Sequence, residues 1–131
     1  MMVKYLDTAI ILYLVEEKEP FFEKVASRLE DTNLELLTSE MGRLECRVKP
    51  IRDQDHELLI TYDRFFADKV KDVIEITREV IDTATELRAK YNFKTPDSIH
   101  LAAAITSACE VFFTNDHRLD RCTEIKIETL E

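Results

Sequence analysis

The chain has 131 residues, enough for one hydrophobic core and too few for two, so residues 1–131 are read as a single domain. A hydrophobic share of 45% with 34% charged residues excludes a disordered chain. The net charge of −9 excludes nucleic-acid binding through a broadly basic surface, so any such contact needs bound cations or a local basic strip.

Residues 3–6 read as a first strand, followed by a helix that Thr8 is placed to cap. That helix carries the longest apolar run, residues 9–15. It falls far short of the roughly 20 residues a membrane span needs. No basic stretch precedes it in the manner of a secretion signal. Pro20 sits where a first-turn proline would, opening a helix with Phe22, Val25 and Leu29 at helical spacing. Residues 34–37 read as the second strand, and Ser39 is a good N-cap for a helix whose apolar stripe is Met41, Leu44 and Val48. Asp53 opens another helix, with Leu58, Tyr62 and Phe65 as its stripe. Residues 72–76 form a short β-rich run, after which Thr77 caps a long helix bearing Val80, Ala84, Leu87 and Tyr91. Thr95-Pro96 starts the next, which buries Leu101, Ala104, Ile105 and Ala108. Residues 110–114 are a strand, and residues 125–127 a last, weaker one. Strands separated by helices predict a three-layer α/β/α sandwich with a mostly parallel central sheet.

Such folds place their chemistry at the carboxyl ends of the strands. Asp7 directly ends the first strand, and Asp116 follows the fourth by two residues. Glu45 stands on the Met41–Leu44–Val48 line, where a carboxylate costs desolvation unless an arginine or a metal pairs with it. Glu40 differs, because an acid in a first helical turn is explained by the helix dipole alone. Asp97 lies one turn before Leu101, and the small residues Ala102, Ala103 and Ala104 let its helix pack close to the sheet. Each acid also has an ordinary reading. Asp7 can cap a helix, Asp97 can answer a dipole, and Asp116 can serve a turn in Thr114-Asn115-Asp116.

Four carboxylates gathered at one edge repel one another. At about 5 Å and an effective dielectric near 20, each pair costs roughly 3 kcal/mol, which a divalent cation removes. Hard oxygen ligands without a His/Cys cluster point to Mg²⁺ or Mn²⁺. A metal so held lowers the pKa of a bound water and neutralises charge on a phosphate. Cys46, Cys109 and Cys122 form no CxxC pair and leave one odd, so neither a disulfide framework nor a zinc site is expected, and the protein is read as cytoplasmic.

Tyr5-Leu6-Asp7-Thr8, Thr38-Ser39 with Glu45, the run from Pro96 to Ala104, and Thr114-Asn115-Asp116 together resemble the four motifs of the PIN-domain ribonucleases. The likeness spans nearly the whole chain, with the motifs in order. Small single-domain members of that family are typically VapC-type toxins of toxin–antitoxin pairs. The resemblance therefore implies a Mg²⁺- or Mn²⁺-dependent endoribonuclease, often a homodimer, held inactive by a separate antitoxin protein. It assigns metal ligation and catalysis to Asp7, Glu45, Asp97 and Asp116, with Thr114 as a polar neighbour. The alternative is a catalytically silent PIN-like module that binds protein or RNA.

An acidic chain must contact RNA locally. The clearest basic strip is Arg43, Arg47, Lys49 and Arg52, whose ordinary reading is a solvated helix face paired with nearby acids. Lys94, His117 and Arg118 flank the other motifs and are further candidates. His100, three residues after Asp97, is read as a hydrogen-bonded structural histidine, and a metal-independent ribonuclease using His100 and His117 is a competing possibility. A phosphoacceptor receiver domain needs two adjacent acids after the first strand, but Thr8 follows Asp7. A haloacid-dehalogenase-type phosphatase wants a second Asp at position 9, which is Ala. The single glycine, Gly42, lies within a helix and excludes a Gly-rich nucleotide loop.

Overall fold

The computed structural model describes residues 2–131. Along the chain run β1 (Met2–Leu6), α1 (Thr8–Val15), α2 (Phe22–Leu29), β2 (Leu34–Ser39), α3 (Glu40–Arg52), α4 (His56–Asp68), β3 (Asp72–Ile74), α5 (Arg78–Tyr91), α6 (Thr95–Thr106), β4 (Val111–Thr114) and β5 (Lys126–Thr129). A 3-10 turn, His117–Arg121, separates β4 from β5. The strands form one sheet in the order β3-β2-β1-β4-β5, and every pairing is parallel.

Alternation along the central strands divides the core. Tyr5 and Phe112 point to one face, where their rings stack at 5.2 Å against α5 and α6 through Val80, Leu87 and Leu101. Leu6 and Phe113 point to the other and pack with Ile10, Val25, Tyr62 and Phe66 of α1, α2 and α4. This is the three-layer α/β/α arrangement. The chain runs from β1 outward to β2 and β3, then returns across the sheet to β4. The crevice between the carboxyl ends of β1 and β4 is therefore the switch point at which open parallel sheets bind ligands.

Several boundaries differ from expectation for local reasons. Asp7, not Thr8, is the N-cap of α1, because its carboxylate accepts the Thr8 amide at 2.9 Å and leaves the Thr8 hydroxyl free for other work. Pro20 lies in the turn before α2, which begins at Phe22. Asp53 ends α3 rather than opening α4. Asp55 does that, accepting the Leu58 amide at 3.1 Å. Lys94 is the N-cap residue of α6 without a side-chain bond, and the helix stops at Thr106, before Ala108, which is exposed and takes a left-handed φ of 56°. Ser39 and Thr77 cap α3 and α5 as expected.

The largest correction concerns α3. Leu44 and Val48 are 57% and 50% exposed, and the buried line is Gly42, Cys46 and Pro50. The helix lies at the carboxyl edge, close enough to β2 that a Cβ on Gly42 would sit 2.3 Å from the Thr38 hydroxyl oxygen. Close approach selects the face with the smallest residues, not the most apolar one.

Candidate active site

Parallel register carries the sheet's hydrogen bonds one step past β1. Leu6 pairs with Phe113, and the Asp7 amide donates to the Phe113 carbonyl at 2.9 Å. Asp7 is thereby fixed beside the end of β4. Thr114, the last residue of β4, is fully buried and donates its hydroxyl to Asp7 Oδ2 at 2.7 Å. The same hydroxyl oxygen accepts the Asp116 amide at 3.0 Å, turning the chain so that Asp116 follows over the crevice. α6 packs through Ala102, Ala103 and Ala104, all fully buried, which brings Asp97 in its first turn to the same edge. α3 supplies Glu45 one turn after Gly42. Asp7, Glu45, Asp97, Asp116 and Thr114 all line one cleft of about 300 Å³, together with Thr8, Tyr13, His100 and Asn115.

The acids differ in their surroundings. Burial raises the pKa of Asp97, and the nearby charges of Asp7 and Asp116 raise it further. This is the mutual repulsion expected of a carboxylate cluster. Burial alone would raise Glu45 too, but hydrogen bonds from His100 and Thr8 outweigh it and hold Glu45 below its ordinary value. Both bonds fall on Oε1, at 2.6 Å each. Asp116 is held low chiefly by Arg118, whose Nε and Nη2 reach its two oxygens at 2.9 and 2.5 Å. His100 is 2% exposed, and the bond to Glu45 with the charges of Asp7 and Asp97 raises its pKa against the opposing effect of burial.

A hard cation fits this donor set. The acids bring only oxygen ligands, and Asp97, flanked by two charged neighbours, stands to gain most from a cation between them. Among the described residues, no three His, Cys, Asp or Glu side chains are already drawn together as ligands. Three of the acids are each held by a neighbour: His100 and Thr8 bond Glu45, Arg118 pairs with Asp116, and Thr114 bonds Asp7. A cation held by Asp116 would take the place of the Arg118 guanidinium, which is solvent-exposed and readily displaced.

The sequence pattern of the PIN domain matches residues 4–125. The chain belongs to the PIN domain family. Solved structures share its fold. VapBC2 from Rickettsia felis, bound to a promoter DNA fragment, is 16% identical, with a TM-score of 0.78 over 98% of each chain. VapBC-1 from nontypeable Haemophilus influenzae is 18% identical, with a TM-score of 0.75 over 98% of each chain. VapC20 from Mycobacterium tuberculosis, described as a toxin cleaving the sarcin-ricin loop, is 14% identical at a TM-score of 0.73, over 94% of this chain and 98% of that one. No curated protein matches the chain by sequence.

On this PIN scaffold the basic strip stands apart from the acids. Arg43, Arg47 and Arg52 line a separate concavity with Leu44, Val48 and Ile51, and none of the strip lines the acidic cleft. Each member has a carboxylate partner: Arg43 with Glu40 at 3.7 Å, Arg47 with Asp63 at 2.9 Å, Lys49 with Glu16 at 3.0 Å, and Arg52 with Asp53 at 2.9 Å. Arg118 is the cation in direct contact with a cleft acid. His117 turns toward Asp120 instead, at 3.9 Å. Thr8 and Asn115 stand in the sequence motifs without a site role read for them, and nothing in the sequence marks Tyr13. Tyr13 lines the cleft, receives a hydrogen bond from the Asn115 amide at 3.0 Å, and stacks on Phe21 at 4.5 Å.

Proposed function

We propose that this chain is a divalent-metal-dependent endoribonuclease, acting in the cytoplasm as the toxin of a toxin–antitoxin pair, with residues 1–131 forming its one domain. The observation that carries the reading is the meeting of Asp7, Glu45, Asp97 and Asp116 in one cleft at the switch point of a PIN sheet, where burial and the charges of its neighbours raise the pKa of Asp97. The antitoxin assignment is supported by the similar folds, which include a toxin–antitoxin complex from Klebsiella pneumoniae. A protein antitoxin and a second copy of this chain are the proposed partners, and RNA is the substrate.

Mg²⁺ or Mn²⁺ in this cleft supplies charge neutralisation at a phosphate and a water of lowered pKa. The chain's own groups do the rest. Asp7, Asp97 and Asp116 would hold the cation, with Thr114 fixing Asp7 through Oδ2 so that Oδ1 faces the Thr8 amide. Glu45, with Oε1 taken by His100 and Thr8, offers Oε2 as a further ligand or water acceptor. Arg118, once released from Asp116, presents a planar guanidinium suited to a backbone phosphate. Lys94, close enough to act on the Asp116 charge, adds a second cation at this rim. These two, in place of the paired strip on α3, give an acidic chain its local phosphate contact.

The test is cleavage of structured RNAs by the purified chain with Mg²⁺ or Mn²⁺, with chelator, and with Asp7→Asn, which keeps a capping side chain on α1. Cleavage is expected to require metal and to fall by at least about a hundredfold in the variant, the scale of losing an electrostatic catalytic group. Cleavage that survives both changes would move the chemistry away from the acids. A metal-binding chain that cuts no RNA would favour the silent binding module.

A further inference from the structure

Glu45 is held in the cleft by an anchor assembled from four other elements. Its Oε1 accepts the Thr8 hydroxyl of α1 at 2.6 Å and lies 2.6 Å from His100 Nε2 of α6. Thr8 Oγ1 and His100 Nε2 are themselves 3.3 Å apart, so the three groups form a closed triangle. Behind it, His100 Nδ1 lies 2.7 Å from the Tyr5 hydroxyl of β1, which donates to Ser39 Oγ of β2 at 2.7 Å. The Tyr5 and His100 rings meet edge-to-face at 5.8 Å. Gly42 completes the arrangement, since an added Cβ would lie 3.7 Å from His100 Cε1 and against Thr38.

A buried polar chain of this length is a poor way to fill space. An apolar side chain at position 100 would pack without the desolvation that an imidazole incurs. What the chain accomplishes is orientation. Glu45 has three side-chain torsions and 32% of its side chain exposed, so it would otherwise sample several rotamers. Two donors on one oxygen leave the other as the single available ligand atom. With a carboxylate oxygen as its partner, Nε2 is the donor to Glu45.

We propose that His100 is a positioning residue: its Nε2–H, backed by Tyr5 and Ser39, presents Glu45 to the cleft as a one-oxygen ligand for a hard divalent cation. The inference rests on the carboxylate-cleft reading of the function. Groups that hydrogen-bond a metal's ligands typically change its affinity by about 10–100-fold when removed.

The experiment is calorimetric titration of the intact chain with Mn²⁺ alone, for the native protein, His100→Leu, His100→Gln and Asp97→Asn, each checked by thermal unfolding without metal. His100→Leu is expected to weaken Mn²⁺ binding by about 10–100-fold. His100→Gln, which keeps an N–H near the Nε2 position, is expected to stay close to native. A residue needed only for folding would not show that rescue in affinity. Should His100→Leu fail to fold, His100→Asn replaces it, because its shorter side chain cannot reach Glu45. Native-like Mn²⁺ affinity in the variant lacking the donor, alongside loss in Asp97→Asn, would overturn the positioning role and leave the cleft intact. Unchanged binding in Asp97→Asn, or none in the native chain, would remove the metal cleft itself and His100's role with it.

Discussion

Asp97 sits half-buried in the first turn of α6, where two effects oppose each other. The helix dipole favours a carboxylate there by about 0.3–1 kcal/mol. Burial and the charges of Asp7 and Asp116 disfavour it, and they win, because its pKa lies above the ordinary value. A carboxyl group whose pKa is higher folded than unfolded weakens the fold while ionised. That penalty is present above its folded pKa and disappears as pH falls through it. Asp97→Asn keeps the size and removes the charge. It should therefore raise the Tm of the metal-free protein at neutral pH and lose the advantage in acid, as followed by circular dichroism. A lower Tm at neutral pH would make Asp97 a structural residue. The four acids were legible in sequence because each follows a strand end or occupies a helix position facing the sheet. Glu45 was legible for a reason the structure replaces: its apolar neighbours Leu44 and Val48 are exposed, and His100 and Thr8 anchor it. Those contacts join α1, α3 and α6, and no spacing within one helix encodes them.

At the scale of elements, the position of α3 decides whether Glu45 reaches the cleft. The strand order comes from the structure alone. The layers followed from strands that alternate with helices and from helical spacing in α5, which are properties of single segments. The seat of α3 is not, since it depends on how closely Gly42 approaches Thr38 and His100. Gly42→Ala tests this. Alanine improves helix propensity by about 1 kcal/mol. Against that, its Cβ meets the Thr38 hydroxyl at 2.3 Å, and Thr38 is fully buried and donates to the Leu6 carbonyl at 3.3 Å. Overpacking of this kind costs about 1–3 kcal/mol. The variant should be neutral to about 2 kcal/mol less stable in urea, and should lose metal affinity out of proportion to that as α3 moves outward. Native affinity would show that Thr38 yields instead of the helix.

For the whole molecule, a net charge of −9 makes a general response to cations unavoidable, and a specific site must be told apart from it. Diffuse screening acts on all exposed acids and depends on ionic strength, with a reach of about 10 Å at 0.1 M salt. A bound ion instead stabilises by mass action, about 2.7 kcal/mol when free metal is a hundred times its Kd. For a chain of this size that is roughly 8–10 °C in Tm. The native chain in Mn²⁺ should therefore melt well above the same chain in chelator at matched ionic strength. Asp97→Asn should retain only the increment that NaCl alone produces, although its metal-free Tm is the higher of the two. The curves should cross: native above variant with Mn²⁺, variant above native without it. Crossing separates the repulsion in the empty cleft from its relief by a cation, because the same side chain destabilises in one condition and stabilises in the other. Parallel shifts in both proteins would assign the whole effect to screening and leave the carboxylates with no metal to hold.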